Sequence, residues 1–209
     1  MSGKTTFVKT LLVRLHQMEK QLVEQQIYII DFGGNIGDYA KLKNVCACFD
    51  NYNEEDTKGI FKTIGTQLTK NIKQLNNRSY LDVYQKDPSQ CPPHMLLIIE
   101  NLNAFLADER YASYQETLTK FCRDGLSKGL TVLFTAFDMT GGITRLLPSF
   151  GSRFAFEMPP ERYFDIFNTK VFPPMRLQGR GIATVDTVPH EFQCFLPFEK
   201  ETEELPAFI

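Results

Sequence analysis

The sequence predicts an α/β fold in which a mostly parallel sheet is covered by helices. Two observations predict it. Short apolar or β-branched runs alternate along the chain with longer segments whose apolar residues recur every three or four positions, and strands alternating with helices of this length require right-handed crossovers onto a parallel sheet. One run, Met95 to Ile99, is apolar at every position, as suits a strand buried on both faces.

The elements follow in order. Val8, Leu11, Leu12, Leu15, Met18 and Leu22 lay one apolar stripe on a helix from Thr6 to Gln25, which opens directly from Ser2-Gly3-Lys4-Thr5. Ile27 to Asp31 is a short strand, ended by Phe32-Gly33-Gly34-Asn35, residues that tolerate turn angles. Val45 to Phe49 reads as the next strand, and Ile60, Phe61, Ile64, Leu68, Ile72 and Leu75 mark a second amphipathic helix. Asn76 to Pro93 is polar and broken at Asp87-Pro88 and Cys91-Pro92-Pro93, which predicts a surface excursion. After the strand Met95 to Ile99, closed by Glu100-Asn101, come a helix through Tyr114, Leu118, Phe121 and Cys122 to Gly125, and a strand from Leu130 to Phe137. A turn at Gly141-Gly142, a short helix to Phe150, a strand from Phe154 to Met158 and a helix from near Pro160 follow. Gly181 to Asp186 and Phe192 to Phe195 form a closing hairpin.

The 209 residues suit one domain, 1–209, and 43% hydrophobic with 23% charged residues is the composition of a globule. The apolar runs fall far short of the ~20 residues of a membrane helix. A net charge of −2, with Lys and Arg scattered among acids, gives no footprint for duplex DNA, so no DNA partner is expected. Five irregularly spaced cysteines suit a reducing, cytoplasmic setting rather than a disulfide framework. Cys46, Cys48, Cys91 and His94 lack the paired spacing of a zinc site and read as small core residues and a loop thiol.

The chemistry begins at Gly3-Lys4-Thr5. A phosphate-binding loop needs G-x-x-x-x-G-K-[ST]: its amides and the following helix N-terminus form an anion nest, its Lys reaches the outer phosphates and its hydroxyl binds Mg²⁺. The last three positions are present, with Ser2 before them and Thr6 after. The first glycine would lie five residues before Gly3. The chain is therefore expected to be N-terminally truncated, with the P-loop strand absent. In this scheme the acid closing a later apolar strand holds the metal, which gives Thr5 and Glu100 as Mg²⁺ ligands, while the next residue polarises the attacking water. That next residue is Asn101, whose amide cannot serve as a general base, so ATP binding is better supported than turnover. Thr135, near the end of the following strand, is a candidate for nucleotide contact or else a buried threonine satisfied by backbone. Arg153 is a possible trans arginine or else a surface ion-pair residue. Asp31 either organises the site or caps the Gly33-Gly34 turn.

Ser2 to Phe7, Ile27 to Gly34, Met95 to Asn101 with Phe105, Gly129 to Thr135, Gly151-Ser152-Arg153 and Gly179-Arg180-Gly181 with Glu191 to Gln193, in this order and spacing, resemble the FtsK/SpoIIIE ATPases. Within them they are most similar to the tandem ATPase domains of type VII secretion motors. The resemblance covers nearly the whole chain. It implies a RecA-like P-loop core that binds ATP with Mg²⁺, in which the P-loop strand lies between the strands at Leu130 to Phe137 and Phe154 to Met158. It also implies a cytoplasmic module of a longer, membrane-anchored bacterial protein. The implied partners are neighbouring ATPase domains of the same chain, secreted helical-hairpin substrates and further copies in a homo-oligomer. Active members carry Asp followed by an acid where this chain has Glu100-Asn101, which implies weak or absent hydrolysis. The alternative within the family is a DNA translocase, whose basic channel loops are not found in this sequence.

Overall fold

The apolar runs that mark Gln25–Asp31 (β1) and His94–Glu100 (β3) are the centre of a four-stranded parallel sheet in the order β2-β1-β3-β4, flanked by Val45–Asp50 (β2) and Leu130–Phe134 (β4). The structure is a computed structural model and describes residues 3–19, 23–139, 141–185 and 188–197. These fall into two compact units. One spans Leu15–Phe137 and holds the parallel sheet; the other joins the chain up to Arg14 with the chain from Asp138 onward.

In the parallel unit, Ile27, Ile29, Ile30, Met95, Leu97, Ile98 and Ile99 are fully buried, as their unbroken apolar pattern requires. The register pairs Ile29 with Ile98 and Asp31 with Glu100, so both acids stand at the C-terminal end of the sheet. That is where open α/β sheets bind ligands. Glu54–Leu75 (α2) buries Ile60, Phe61, Ile64, Leu68 and Leu75 and ends on Asn76 in the left-handed region, while Ile72 turns to solvent. The stretch expected as a surface excursion carries Tyr80–Lys86 (α3), which a polar composition concealed. Its Tyr80 and Val83 close a small cluster with Leu75, and Cys91 packs against it. Leu102–Ala107 (α4) and Gln115–Asp124 (α5) complete this unit. An aromatic cluster of Phe32, Phe61, Phe105, Tyr111, Tyr114 and Phe121 joins these helices to the end of β1.

β4 stops at Phe134, three residues before the expected end, and Phe137 is exposed. The chain leaves the sheet because Thr135 already bonds to the β3–α4 turn: its carbonyl accepts from Leu102 N (2.8 Å).

The first helix, Lys4–Gln17 (α1), begins two residues earlier and ends sooner than the sequence implies. Leu22, expected on its stripe, lies outside the described residues. In the second unit, Arg153–Phe156 (β5), Arg180–Val185 (β6) and Val188–Gln193 (β7) form a separate antiparallel sheet. The expected fifth parallel strand is thus antiparallel. Among the described residues β4 pairs only with β3, and β5 finds its backbone partner in β6. One face of this sheet carries Phe154, Phe156 and Phe192 against Phe7 of α1, with ring centroids 4.8 Å apart for Phe7 and Phe154. The other carries Ala155 and Ile182 against Tyr163, Ile166 and Phe167 of Arg162–Phe167 (α7). Gly181, paired with Phe156 and Phe192, belongs to the first face, where a Cβ would stand 2.6 Å from the Ala155 carbonyl oxygen and 2.8 Å from the Phe192 ring. Gly142–Leu146 (α6) precedes β5. Among the described residues no helix is long and apolar enough to cross a membrane.

Candidate nucleotide-binding site

The Gly-Lys-Thr segment is at the head of α1. Gly3 has φ +93°, and a Cβ would meet the Phe156 ring at 2.8 Å and the Gly179 Cα at 3.3 Å, so both backbone angle and packing demand glycine. Its carbonyl accepts the first helical bond, from Phe7 N at 2.9 Å. Lys4, Thr5 and Thr6 therefore occupy the opening turn of a 14-residue helix, where the helix dipole favours an anion. Ser2 lies outside the described residues.

Glu100 and Thr135 belong to the parallel unit, at the ends of adjacent strands β3 and β4. Glu100 is buried, and its carbonyl accepts from Phe32 N at 3.1 Å. The next residue turns away from the strand: Asn101 has φ 65° and ψ 65°, and its side-chain oxygen caps α4 by accepting from Ala104 N at 3.3 Å. An asparagine suits both demands, because it tolerates the left-handed region and is a strong N-cap. This double role is absent from the sequence reading, although an Asn placed directly before Leu102-Asn103-Ala104-Phe105 is a legible N-cap signal. Thr135 is buried, and its hydroxyl oxygen accepts from Asn101 N at 2.8 Å. The backbone role expected as one alternative is present, and the hydroxyl proton gives the group a donor role as well.

Asp31 caps its own turn. One carboxylate oxygen accepts from Asn35 N at 3.2 Å and the other from Ile36 N at 2.8 Å. Within that turn Gly33 presents its bare Cα to the Glu100 carboxylate. Sequence reading registers Gly33 only as a turn residue, because the contact depends on the β1–β3 register.

Among the described residues Arg153 makes no ion pair, and its guanidinium is engaged by backbone carbonyls. Its Nε donates to Phe150 O (3.0 Å), one terminal nitrogen to Ile166 O (2.6 Å) and the other to Leu147 O (2.9 Å). The guanidinium thus ties the segment before β5 to the end of α7, and acting in trans would require giving up these bonds. Of the aromatic residues in α7, Tyr163 and Phe167 are core and Phe164 is exposed. Among the described residues no three His, Cys, Asp or Glu side chains gather as a metal site. Burial, with the Asp31 and Asp50 carboxylates, pushes the Cys48 thiol up to about 11, and burial alone pushes Cys122 up to about 12. Both stay protonated near neutrality, but of the cysteines expected as small core residues Cys48 is half-buried and Cys46 is exposed.

No protein-family model matches the chain. No curated protein matches it. Solved structures do match. EssC (ATPases 2 and 3) from Geobacillus thermodenitrificans superposes with a TM-score of 0.79 at 18% identity, over 97% of this chain and 39% of that one. EccC (ATPases 2 and 3) from Thermomonospora curvata, in complex with a signal sequence peptide, gives a TM-score of 0.74 at 18% identity, over 100% of this chain and 38% of that one. The pCW3 conjugation coupling protein TcpA, with ATPγS, gives a TM-score of 0.71 at 15% identity, over 95% of this chain and 58% of that one. The chain thus spans about two fifths of the length of the EssC and EccC chains it matches. At these identities the likeness is one of architecture, and the chain has the RecA-like α/β fold of the EssC and EccC ATPase domains.

Proposed function

We propose that this chain is an ATP-binding module of a type VII secretion ATPase that hydrolyses nucleotide slowly or not at all. The observation that carries the reading is Asn101: the position next to the buried acid Glu100 is an uncharged amide committed to capping α4. An amide has no useful proton affinity, so activation of water has no base there. Lys4 is assigned to the outer phosphates of ATP, Thr6 and the α1 amides to the phosphates nearer the helix, and Thr135 to the terminal phosphate or its water. Thr5 and Glu100 offer a hydroxyl and a carboxylate, the hard oxygen donors that Mg²⁺ prefers, and so fit that ion. When bound, Mg²⁺ supplies charge neutralisation to the phosphates.

In this reading Ser2 contacts nucleotide with Gly3, Lys4 and Thr5, and the residues of the phosphate loop before it, with the strand feeding them, belong to a longer chain. Support comes from β4, which has a β-partner on one side only among the described residues. That chain is membrane-anchored, with this module cytoplasmic, beside further ATPase domains and assembling with other copies. The signal peptide bound to the EccC structure supports secreted helical substrates as partners, whose binding the module would report to its neighbours.

The test is titration of ATP, with and without Mg²⁺, against the protein carrying its complete phosphate loop. Binding that is lost in Lys4→Ala, with hydrolysis near background, is the expected outcome; fast turnover abolished by Lys4→Ala would overturn the role given to Asn101. Duplex DNA binding that falls steeply with salt would instead mark a translocase.

A further inference from the structure

We propose that Gly33 is a positioning residue for Glu100: the missing side chain at Gly33 is the notch in which the Glu100 carboxylate is seated. The metal-binding part of this inference rests on the nucleotide reading above; the positioning itself does not. An ideal Cβ built on Gly33 would lie 2.2 Å from Glu100 Oε2, 2.8 Å from its Cδ and 3.0 Å from Asn35 Nδ2. The cause is the register. Asp31 pairs with Glu100, so the residues after Asp31 pass directly over the end of β3, and Phe32 N donates to Glu100 O at 3.1 Å.

The loop has no easy retreat from the carboxylate. Asp31 accepts from Asn35 N and Ile36 N, Asn35 Nδ2 donates to Gly33 O at 2.7 Å, and the Phe32 ring is wedged edge-on against Phe105 (5.7 Å) and Tyr111 (5.4 Å). The carboxylate, at the end of a rotatable side chain, is the part that yields. Nor does backbone conformation explain the glycine. Gly34 has φ +66°, in the left-handed region, whereas Gly33 is outside it, so that region does not demand the glycine at 33, and the three atoms nearest an added Cβ belong to Glu100 and Asn35. The steric requirement is specific to a glutamate. Aspartate, one methylene shorter, would draw its carboxylate back toward β3 and leave room for a methyl group.

The experiment uses Gly33→Ala, Glu100→Asp, the double variant, and Gly37→Ala as a control whose added Cβ meets nothing within 4 Å. Two readouts are independent of nucleotide: the side-chain carboxyl ¹³C resonance of Glu100, and the melting temperature. Gly33→Ala is expected to shift the resonance and lower the melting temperature, to lower it less when Glu100 is Asp, and Gly37→Ala to do neither. A third readout is the enhancement of ATP affinity by Mg²⁺, which Gly33→Ala should cut by roughly tenfold or more, as loss of a group orienting a metal ligand does, and Glu100→Asp should restore in the double variant. An unmoved Glu100 resonance, an equal effect from Gly37→Ala, or the same melting loss in both backgrounds overturns the proposal. If Gly33→Ala fails to fold, folding of the double variant supports the proposal and its failure overturns it. A protein that binds no ATP removes the nucleotide reading, while the resonance and the melting temperatures still decide the positioning.

Discussion

The hydroxyl oxygen of Thr135 accepts a 2.8 Å hydrogen bond from the backbone amide of Asn101, joining the end of β4 to the turn that follows β3. The contact fixes the residue after Glu100 in a left-handed conformation within the buried end of the sheet. Replacing Thr135 by Val keeps the shape and leaves that amide without its acceptor. The expected loss of stability is about 1–3 kcal/mol, read as a lower urea midpoint at constant slope. Thr135→Ser should recover most of it, whereas a loss in Ser with none in Val would show that the methyl group, not the oxygen, matters.

Asn101 is expected to tolerate Asp far better than Glu or Ala. Aspartate is a strong N-cap and visits the left-handed region, whereas Ala and Glu both lose the cap at about 1 kcal/mol and both meet the left-handed penalty of about 1–2 kcal/mol. A capping carboxylate at position 101 is directed to Ala104 N, so Asn101→Asp should leave ATP turnover slow. A large rise in turnover would show that the side chain leaves the cap when nucleotide binds.

Arg153→Met should destabilise the unit built on β5, β6 and β7. Three backbone carbonyls lose their donors together, and at about 1.5–3 kcal/mol for a bond to a charged group the total is at least of that order. The expected signature is a lower melting temperature with ATP affinity unchanged. Unchanged stability with lost turnover in mixed assemblies of variant and parent would instead assign Arg153 to a neighbour's nucleotide.

His94 ties three strands together: one ring nitrogen lies 3.0 Å from Gln25 Oε1 and the other 3.0 Å from Thr131 Oγ1. Burial lowers its pKa below the usual 6.5, so just below that pH the unfolded chain binds more protons than the folded one. Stability is then full above about 6.5, falls as pH drops through the window beneath it, and levels once the folded histidine is also protonated. Unfolding midpoints between pH 7.5 and 5 should show this loss for the parent and a flatter profile for His94→Gln. Identical profiles would remove His94 as the cause.

The sequence by itself determined the parallel sheet and its burial. Ile27 to Ile30 and Met95 to Ile99 are apolar at nearly every position, a pattern that only a strand covered on both faces accepts, and the helical stripe of α2 follows from its own spacing. Gly3-Lys4-Thr5 before a helix and Glu100 at a strand end were equally legible, because a short motif and its local element lie within one stretch of chain. Tertiary structure decided the rest, where the cause lies far away in sequence. Asn101 reads as a weakened acid until Thr135 and Ala104 show that it is held as a cap. Arg153 reads as a surface charge until three carbonyls from different turns converge on it. β5 reads as a parallel strand, yet strand direction is set by the neighbour whose amides it pairs, and that neighbour is β6. Gly33 reads as turn chemistry, and only the pairing of Asp31 with Glu100 places a carboxylate where its side chain would be.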